Sequence, residues 1–413
     1  MTREKVIVGL DVGTCNVRMA AAKIKEGDSN PQIIGVSKIS SQGVRRGVVV
    51  DVVETSKNIS RAKEILEKNA GIKIDHVFVN VGGSHINCRL SRGVVAVSRA
   101  DGEISEEDKN RAVNASSAIS VSPNFEILHT LPRRFTVDSQ DSLKDPVGMH
   151  GVRLEVDSLL VEGSTPFIKN LIKCLRETDL SAEGILVSPL ASSRSILNKR
   201  QKELGVLVLD IGGGTTGMAV FEEGDILHCK VLPVGSMHIT NDIAIGLRTS
   251  VDTAEKVKLE YGSLRPSQAG RRDMIDLSKL EESENEQVSR LEVIEIIEAR
   301  VNELFDLVNK ELKKIDRLGL LPAGVVLVGE GVKLPGLVEF AKNKLKLPAS
   351  MGCPQEFEGV IDEINDPGFA AVCGLINSGL ADEAVSDSSL MRDFSLFKFF
   401  PKKMRDWMKN FIP

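Results

Sequence analysis

The chain has 413 residues, 42% of them hydrophobic, which allows two or three domains with ample core. Its formal net charge of −5 excludes the bulk basic surface of a nucleic-acid binder. The six cysteines, at 15, 88, 174, 229, 353 and 373, form no Cys-x-x-Cys pair, so no metal site of that kind is expected and a reducing cytoplasm fits.

Met1–Lys5 runs directly into an apolar stretch, so no secretory leader is expected, and no apolar run approaches the roughly 20 residues that span a membrane. Val6-Ile-Val-Gly-Leu-Asp-Val-Gly-Thr14 is a run of β-formers tipped by Asp11 and a small-residue turn, which predicts a hairpin over 6–24. A strand at 32–39 and the segment Gly43–Asp51 follow. A helix is expected from about Val53 to Asn69, with Ile59, Ala62, Ile65 and Leu66 on one face and Gly71 ending it. Val77–Val81 is a strand leading into Gly82-Gly83-Ser84-His85-Ile86.

Residues 84–165 read as a self-contained small α/β insert, with strands at 86–97, 126–136 and 152–161 and a helix near 105–119 opened by a Ser105/Asp108 capping box. Its length favours an interaction role. An amphipathic helix over 166–180 has Pro166 in its first turn. A strand at 185–187 leads into a helix from Ser188 to about Leu197.

Residues 205–217 repeat the first pattern: the apolar run Val206–Leu209, then Asp210, three glycines and Thr215-Thr216. Glycines let backbone N–H groups approach an anion closely, the threonines add hydroxyls, and Asp210 can hold Mg²⁺ directly or through water. Neither copy opens a helix as a Walker or dinucleotide loop does. Two acid-tipped hairpins half a chain apart point to a duplicated domain with a nucleotide between the halves. A helix at about 238–246 follows, then one expected to be capped by Asp252, with Glu255 and Lys258 on one face. Residues 262–289 are polar, and 291–316 form a strongly amphipathic helix. Val325–Leu337 is strand, glycine turn, helix, and the small residues of Asp366–Leu375 suit close helix passage.

Residues 380–393 are acidic and Ser-rich, which predicts a flexible tether. Beyond it, Phe400, Met404, Trp407, Met408 and Phe411 share one face of a helix whose other faces carry Lys402, Lys403, Arg405 and Lys409. This is the pattern of a helix lying on a membrane surface; docking on its own domain or in a partner's groove are the alternatives. Each buried large apolar side chain contributes about 1.5–3 kcal/mol at most and each cation about 1 kcal/mol near anionic lipid, so one tail binds reversibly and an array binds firmly.

The paired hairpins resemble the actin-like ATPase superfamily, and Gly43–Asp51, Val77–Ile86, the insert and the tail resemble the FtsA family of bacterial cell-division proteins within it. The resemblance covers essentially the whole chain. It implies an α/β fold of duplicated RNase H-type domains around a nucleotide cleft, with an inserted small α/β subdomain and a C-terminal amphipathic helix. The first domain would be 1–83 with 166–198 and 360–380, the insert 84–165, and the second domain 199–359 with a small subdomain at about 247–318. A linker at 381–394 and a membrane-targeting helix at 395–413 complete the layout. The resemblance further implies ATP and Mg²⁺ in the cleft, with Asp11 and Asp210 as metal-organising and candidate catalytic acids. Gly13, Thr14, Cys15, Asn16, Gly212, Gly213, Gly214, Thr215 and Thr216 would cradle phosphates; Glu255, Lys258, Gly329, Glu330 and Gly331 would line the adenosine. Implied partners are the FtsZ C-terminal peptide, membrane phospholipid, further copies of the chain and, through the insert, other division proteins, at the cytoplasmic face of the membrane in the division septum. A pilus-assembly protein or a small-molecule kinase of the same superfamily is the alternative.

Three departures stand out: Asn16 where relatives often carry a lysine, Ser188 where an amide or acid orients the attacking water, and Glu330 in place of a small residue. Loss of a cation and a water-orienting group hurts the transition state more than ground-state binding, so ATP binding with slow or negligible hydrolysis is expected.

Overall fold

The computed structural model describes residues 4–25, 30–265, 273–282, 284 and 286–387. The first sheet starts as an antiparallel meander of β1 (Glu4–Val12), β2 (Asn16–Lys25) and β3 (Gln32–Ser40). A small hairpin, β4 (Val44–Arg45) and β5 (Val48–Val49), leads into α1 (Val52–Ala70), capped by Asp51 and ended by Gly71 in the left-handed conformation. Ile59, Ala62 and Leu66 of α1 are buried, but Ile65 is exposed: it lies off the stripe that 59, 62 and 66 trace. β6 (His76–Val81) then pairs parallel to β1.

The insert comprises β7 (Asn87–Ala96), α2 (Glu106–Ser117), β8 (Phe125–Val137), β9 (Gln140–Leu143) and β10 (Arg153–Ser164), with strand order β7-β10-β8-β9. The capping box forms: the Asp108 N–H donates to Ser105 Oγ at 3.2 Å and the Ser105 N–H to Asp108 Oδ2 at 3.0 Å. Burial opposes ionisation of Asp108, yet hydrogen bonds from Ser105, Arg111 and Ser98 outweigh it and hold the carboxyl well below its ordinary range. The insert is not self-contained. One end has its own core, with Ile104, Val113 and Phe135, but Leu128, Leu131, Leu159 and Val161 join the large core that the first half shares with strands of the second sheet. β8 and β10, at 13 and 12 residues, are long enough to reach both.

α3 (Thr165–Glu177) and β11 (Ser181–Val187) return to the first sheet, and α4 (Ser188–Ile196) and α5 (Lys199–Leu204) cross to the second. There β12 (Val206–Ile211), β13 (Thr216–Glu222) and β14 (Asp225–Leu232) repeat the meander. α6 (Ser236–Leu247) and α7 (Val251–Tyr261) follow, then the hairpin β15 (Met274–Asp276) and β16 (Gln287–Ser289). The cap of α7 is Ser250, whose Oγ accepts from the Thr253 N–H at 3.0 Å, rather than Asp252. Asp252 falls inside the first turn, where its charge suits the helix dipole. α8 (Arg290–Lys314) buries Val293, Ile294, Ile297, Val301, Leu304, Val308 and Leu312; Leu291 is half-buried.

β17 (Val325–Val328), α9 (Leu337–Leu345) and β18 (Ala349–Met351) complete the second sheet, and β19 (Glu358–Gly359) joins the edge of the first. The first sheet has the order β11-β6-β1-β2-β3-β19 and the second β14-β13-β12-β17-β18. In both, three antiparallel strands are followed by parallel ones, which is one topology used twice. α10 (Ile361–Ile364) precedes α11 (Ala370–Asp387), which packs against α4 where Gly374 lies under the Ala191 carbonyl. A Cβ there would sit 1.7 Å from that oxygen, so the crossing requires glycine.

Residues 381–387, expected to begin the linker, instead continue α11; Ala-Asp-Glu-Ala holds good helix formers and neither Gly nor Pro. The remaining linker residues and the predicted membrane face, Phe400 to Phe411, lie outside the described residues. No helix among the described residues is long and apolar enough to cross a membrane.

Candidate functional site

The two acid-tipped turns meet. Asp11 is the next-to-last residue of β1 and Asp210 that of β12, and both line one cleft between the halves with an open volume of about 770 Å³ including its mouth. Asn80, on β6 beside β1, holds Asp11: its Nδ2 donates to Asp11 Oδ1 at 2.5 Å and to Ser188 Oγ at 3.1 Å, and its Oδ1 accepts from the Val12 N–H at 2.9 Å. One helical turn after Ser188, Ser192 Oγ donates to Asp210 Oδ2 at 2.7 Å. Ser192 thus ties Asp210 to the linking helix directly, and Ser188 ties Asp11 to it through Asn80. Desolvation raises both carboxyls. For Asp11 the opposing pull comes from Arg18 and Asn80; for Asp210 the bond from Ser192 opposes and the charge of Asp11 adds, leaving it at about 6. Two desolvated carboxyls that repel each other invite a cation.

The turns are pinned from behind. The Gly212 and Gly213 carbonyls accept from the Ser236 and Met237 N–H groups of α6 at 2.9 and 2.8 Å. Thr14 Oγ1 accepts from the Gly47 N–H at 3.0 Å. A Cβ on Gly213 would come within 2.2 Å of Cys15 Sγ, so the close approach of the two turns depends on this glycine. Burial pushes the Cys15 thiol up, against the pull of Lys258, so it is a packing residue rather than a nucleophile.

Gly13, Thr14, Cys15, Asn16, Gly212, Gly213, Thr215, Gly329 and Glu330 all line the cleft. Thr216 does not: it is fully buried and its hydroxyl donates to the Val234 carbonyl at 2.8 Å, because β13 has begun and its side chain points inward. Gly214 turns toward Thr14 and Arg46, and Gly331 packs on Ile211. Glu255 and Lys258 pair with each other at 2.6 Å and with Thr240, outside the cavity wall. Their charges still act on Cys15.

Four polar side chains escape a purely local reading: Asn80, Ser192, Lys38 and above all Arg18. Arg18 is 5% exposed, lines the cleft and pairs with Asp11 at 3.5 Å and Glu330 at 2.5 Å. Strand alternation from Asn16 already puts residue 18 on the same side, and that signal was available. The cation that Asn16 lacks is therefore present two residues on.

A family model described as Cell division protein FtsA matches residues 207–374, and one described as the SHS2 domain inserted in FTSA matches 83–162. Cell division protein FtsA of Pseudomonas aeruginosa is 35% identical over 395 residues, covering 94% of each chain. The chain belongs to the FtsA family of cell division proteins. The Escherichia coli K12 member is 30% identical over 99% of this chain and 97% of its own, and that of Bacillus subtilis 35% over 91% and 84%. Among solved structures, a PilM-PilN type IV pilus biogenesis complex matches with a TM-score of 0.66 at 17% identity, covering 91% of this chain and 98% of that one. MreB5 of Spiroplasma citri bound to ADP matches with a TM-score of 0.52 at 14% identity, covering 93% and 99%. These likenesses show the actin-like fold. The chain is thus an actin-like cell-division protein, and its family implies nucleotide binding.

The residues present fit a Mg²⁺–nucleotide. Among the described residues no group of three or more His, Cys, Asp or Glu side chains forms a metal site, so a metal held here needs oxygens from water or phosphate besides Asp11 and Asp210, as Mg²⁺ ordinarily takes them. Arg18 Nε is buried with no hydrogen-bond partner among the described residues, which leaves a donor for an anion.

Proposed function

We propose that the chain binds ATP with Mg²⁺ between its halves and tethers FtsZ filaments to the cytoplasmic face of the membrane through residues 395–413, helping to recruit the division machinery. The observation that carries the nucleotide reading is the facing pair of desolvated acids, Asp11 and Asp210, beside the buried Arg18 guanidinium. Bound Mg²⁺ would neutralise phosphate charge. Asp11 and Asp210 would hold the ion and its waters, Arg18 would offer its buried N–H, and the two glycine turns would face the phosphates with backbone N–H groups. Glu255 and Lys258 would stand toward the nucleoside from α7.

Hydrolysis is slow in this reading, on narrower grounds than a missing cation. Ser188 Oγ donates to the Val81 carbonyl at 3.2 Å, and both Nδ2 donations of Asn80 go to Asp11 and Ser188. Their hydrogens are thus committed, and the acceptor capacity left on a hydroxyl and a held amide orients water less well than a free amide or acid. Membrane attachment is supported by the basic amphipathic pattern of residues 395–413. The insert and the second small subdomain would be the faces for other division proteins and for the FtsZ C-terminal peptide. Self-association would multiply the weak tails into firm binding.

Co-sedimentation with phosphatidylglycerol vesicles tests the anchor. Full-length protein pellets, and a chain ending at Asp387, which keeps α11 whole, does not. Equal pelleting removes the tether reading. Calorimetric titration with Mg–ATP tests the cleft, with Asp210→Ala as the non-binding variant.

A further inference from the structure

We propose that Glu330 is a latch across the cleft, whose carboxylate competes with the nucleotide's phosphates for Arg18 and so sets both nucleotide affinity and the closure of the two halves. This rests on the nucleotide reading of the cleft. Arg18 and Lys38 are directly paired residues of the adjacent strands β2 and β3, so their side chains leave the first sheet on one face. Glu330 opens the short turn after β17, in the second sheet. Its Oε1 accepts from Arg18 Nη2 at 2.5 Å and also from Lys38 Nζ. Its Oε2 faces Lys333 Nζ at 3.1 Å, and Lys333 in turn holds Asp366 at 2.5 Å. Next to it the Gly329 N–H donates to the Pro367 carbonyl at 2.9 Å. One carboxylate therefore joins the strands of one half to the turn of the other at the cleft wall.

Arg18 cannot swing away from this contest. It is 5% exposed, its Nη1 and Nη2 are committed to Asp11 and Glu330, and Nε alone has no partner among the described residues. A phosphate that grips the guanidinium edge formed by Nε and Nη2 competes with Glu330 for Nη2. Glu330 is the one that yields. Its side chain is 28% exposed and keeps Lys38 and Lys333 as partners, whereas Asp11 is buried and held by Asn80. Burial raises the Glu330 carboxyl, but the surrounding cations outweigh this and hold it at about 2, so it stays ionised at any physiological pH. Phosphate binding is thereby exchanged against a contact between the halves, which couples the ligand to the cleft angle.

The test titrates Mg–ADP and, separately, adenosine into full-length wild type and Glu330→Gln. Mg–ADP is expected to bind about tenfold tighter to the variant, the scale of one charge-assisted hydrogen bond, with adenosine changed by less than about twofold. Glu330→Asp keeps the charge but shortens the reach, and it too must tighten Mg–ADP. Equal or weaker Mg–ADP binding overturns the proposal. So does an equal gain for adenosine, which would mean that the side chain obstructs the nucleoside. Hydrogen exchange without nucleotide decides the latch separately. Glu330→Gln must speed exchange at 329–333 and 366–369, and unchanged exchange overturns it. If neither chain binds Mg–ADP, the nucleotide reading fails, while the exchange arm still judges the contact between the halves.

Discussion

Replacing Asn80 by aspartate tests the geometry of the acid pair with almost no change in shape. Asn80 is 6% exposed and gives Asp11 its hydrogen bond at 2.5 Å. In Asn80→Asp the acceptor for the Val12 N–H survives, but the donor to Asp11 and Ser188 becomes a second carboxylate oxygen. A charge-assisted bond worth about 1.5–3 kcal/mol is lost, and two carboxylates then share one site. Such a pair keeps one proton, at about 1.4 kcal/mol per pKa unit of upward shift, so a destabilisation of about 2–4 kcal/mol at pH 8 is expected. The sign of its pH dependence follows from linkage. A folded-state pKa above the unfolded one means that the native chain binds more protons, so the variant's deficit grows as pH rises and shrinks toward pH 5. Thermal unfolding in the presence of EDTA, at pH 5 and pH 8, reads this directly. A variant that melts with wild type at pH 8, or with the same deficit at both pH values, refutes the account of Asn80 as a donor that opposes the upward shift of the Asp11 carboxyl.

Ser192→Ala removes the hydroxyl bond to Asp210 and should weaken Mg–ADP binding by about tenfold in calorimetry; unchanged affinity would remove α4 from the site. Gly213→Ala should abolish nucleotide binding because its methyl meets Cys15 Sγ, and Cys15→Gly in the same chain should restore part of it. Ser105→Ala should cost the insert about 1 kcal/mol, seen as faster hydrogen exchange in α2 with little change elsewhere. His129 adds an acid-sensitive element. Its Nε2 accepts from the Val187 N–H at 3.2 Å, and burial lowers its pKa from 6.5 to about 3. Below pH 6.5 the unfolded chain takes up a proton that the native chain refuses, so its contribution is present above that pH and is lost at about 1.4 kcal/mol per unit as pH falls toward 3. His129→Gln should flatten that part of the stability profile, and an unaltered slope between pH 4 and 6 would exclude it.

The features legible from the sequence are those whose cause is local. A run of β-formers into an acid and glycines makes a hairpin wherever it stands, and Asp11 and Asp210 could be found that way. The Ser105 box needs only residues three apart, and the stripe on α8 only its helical period. Local reading misplaced Asp252 by ignoring Ser250, took Thr216 for a loop residue when β13 had already begun, and counted Arg18 out by stopping at Asn16. The duplication of the two hairpins was enough to anticipate two sheets, since each repeat carries its own pairing instructions.

What the tertiary structure alone decided is which polar groups share a charge. Asn80 stands 69 residues from Asp11, and Lys38 stands 292 residues from Glu330. No spacing rule links such pairs, because their approach depends on how two separately determined sheets close on each other through α4 and α11. A Glu in a glycine turn looks like an obstruction when read alone. Beside Arg18 and Lys38 it becomes a contact between the halves, since the energy of a carboxylate depends on the cations within a few ångströms of it and not on its neighbours along the chain.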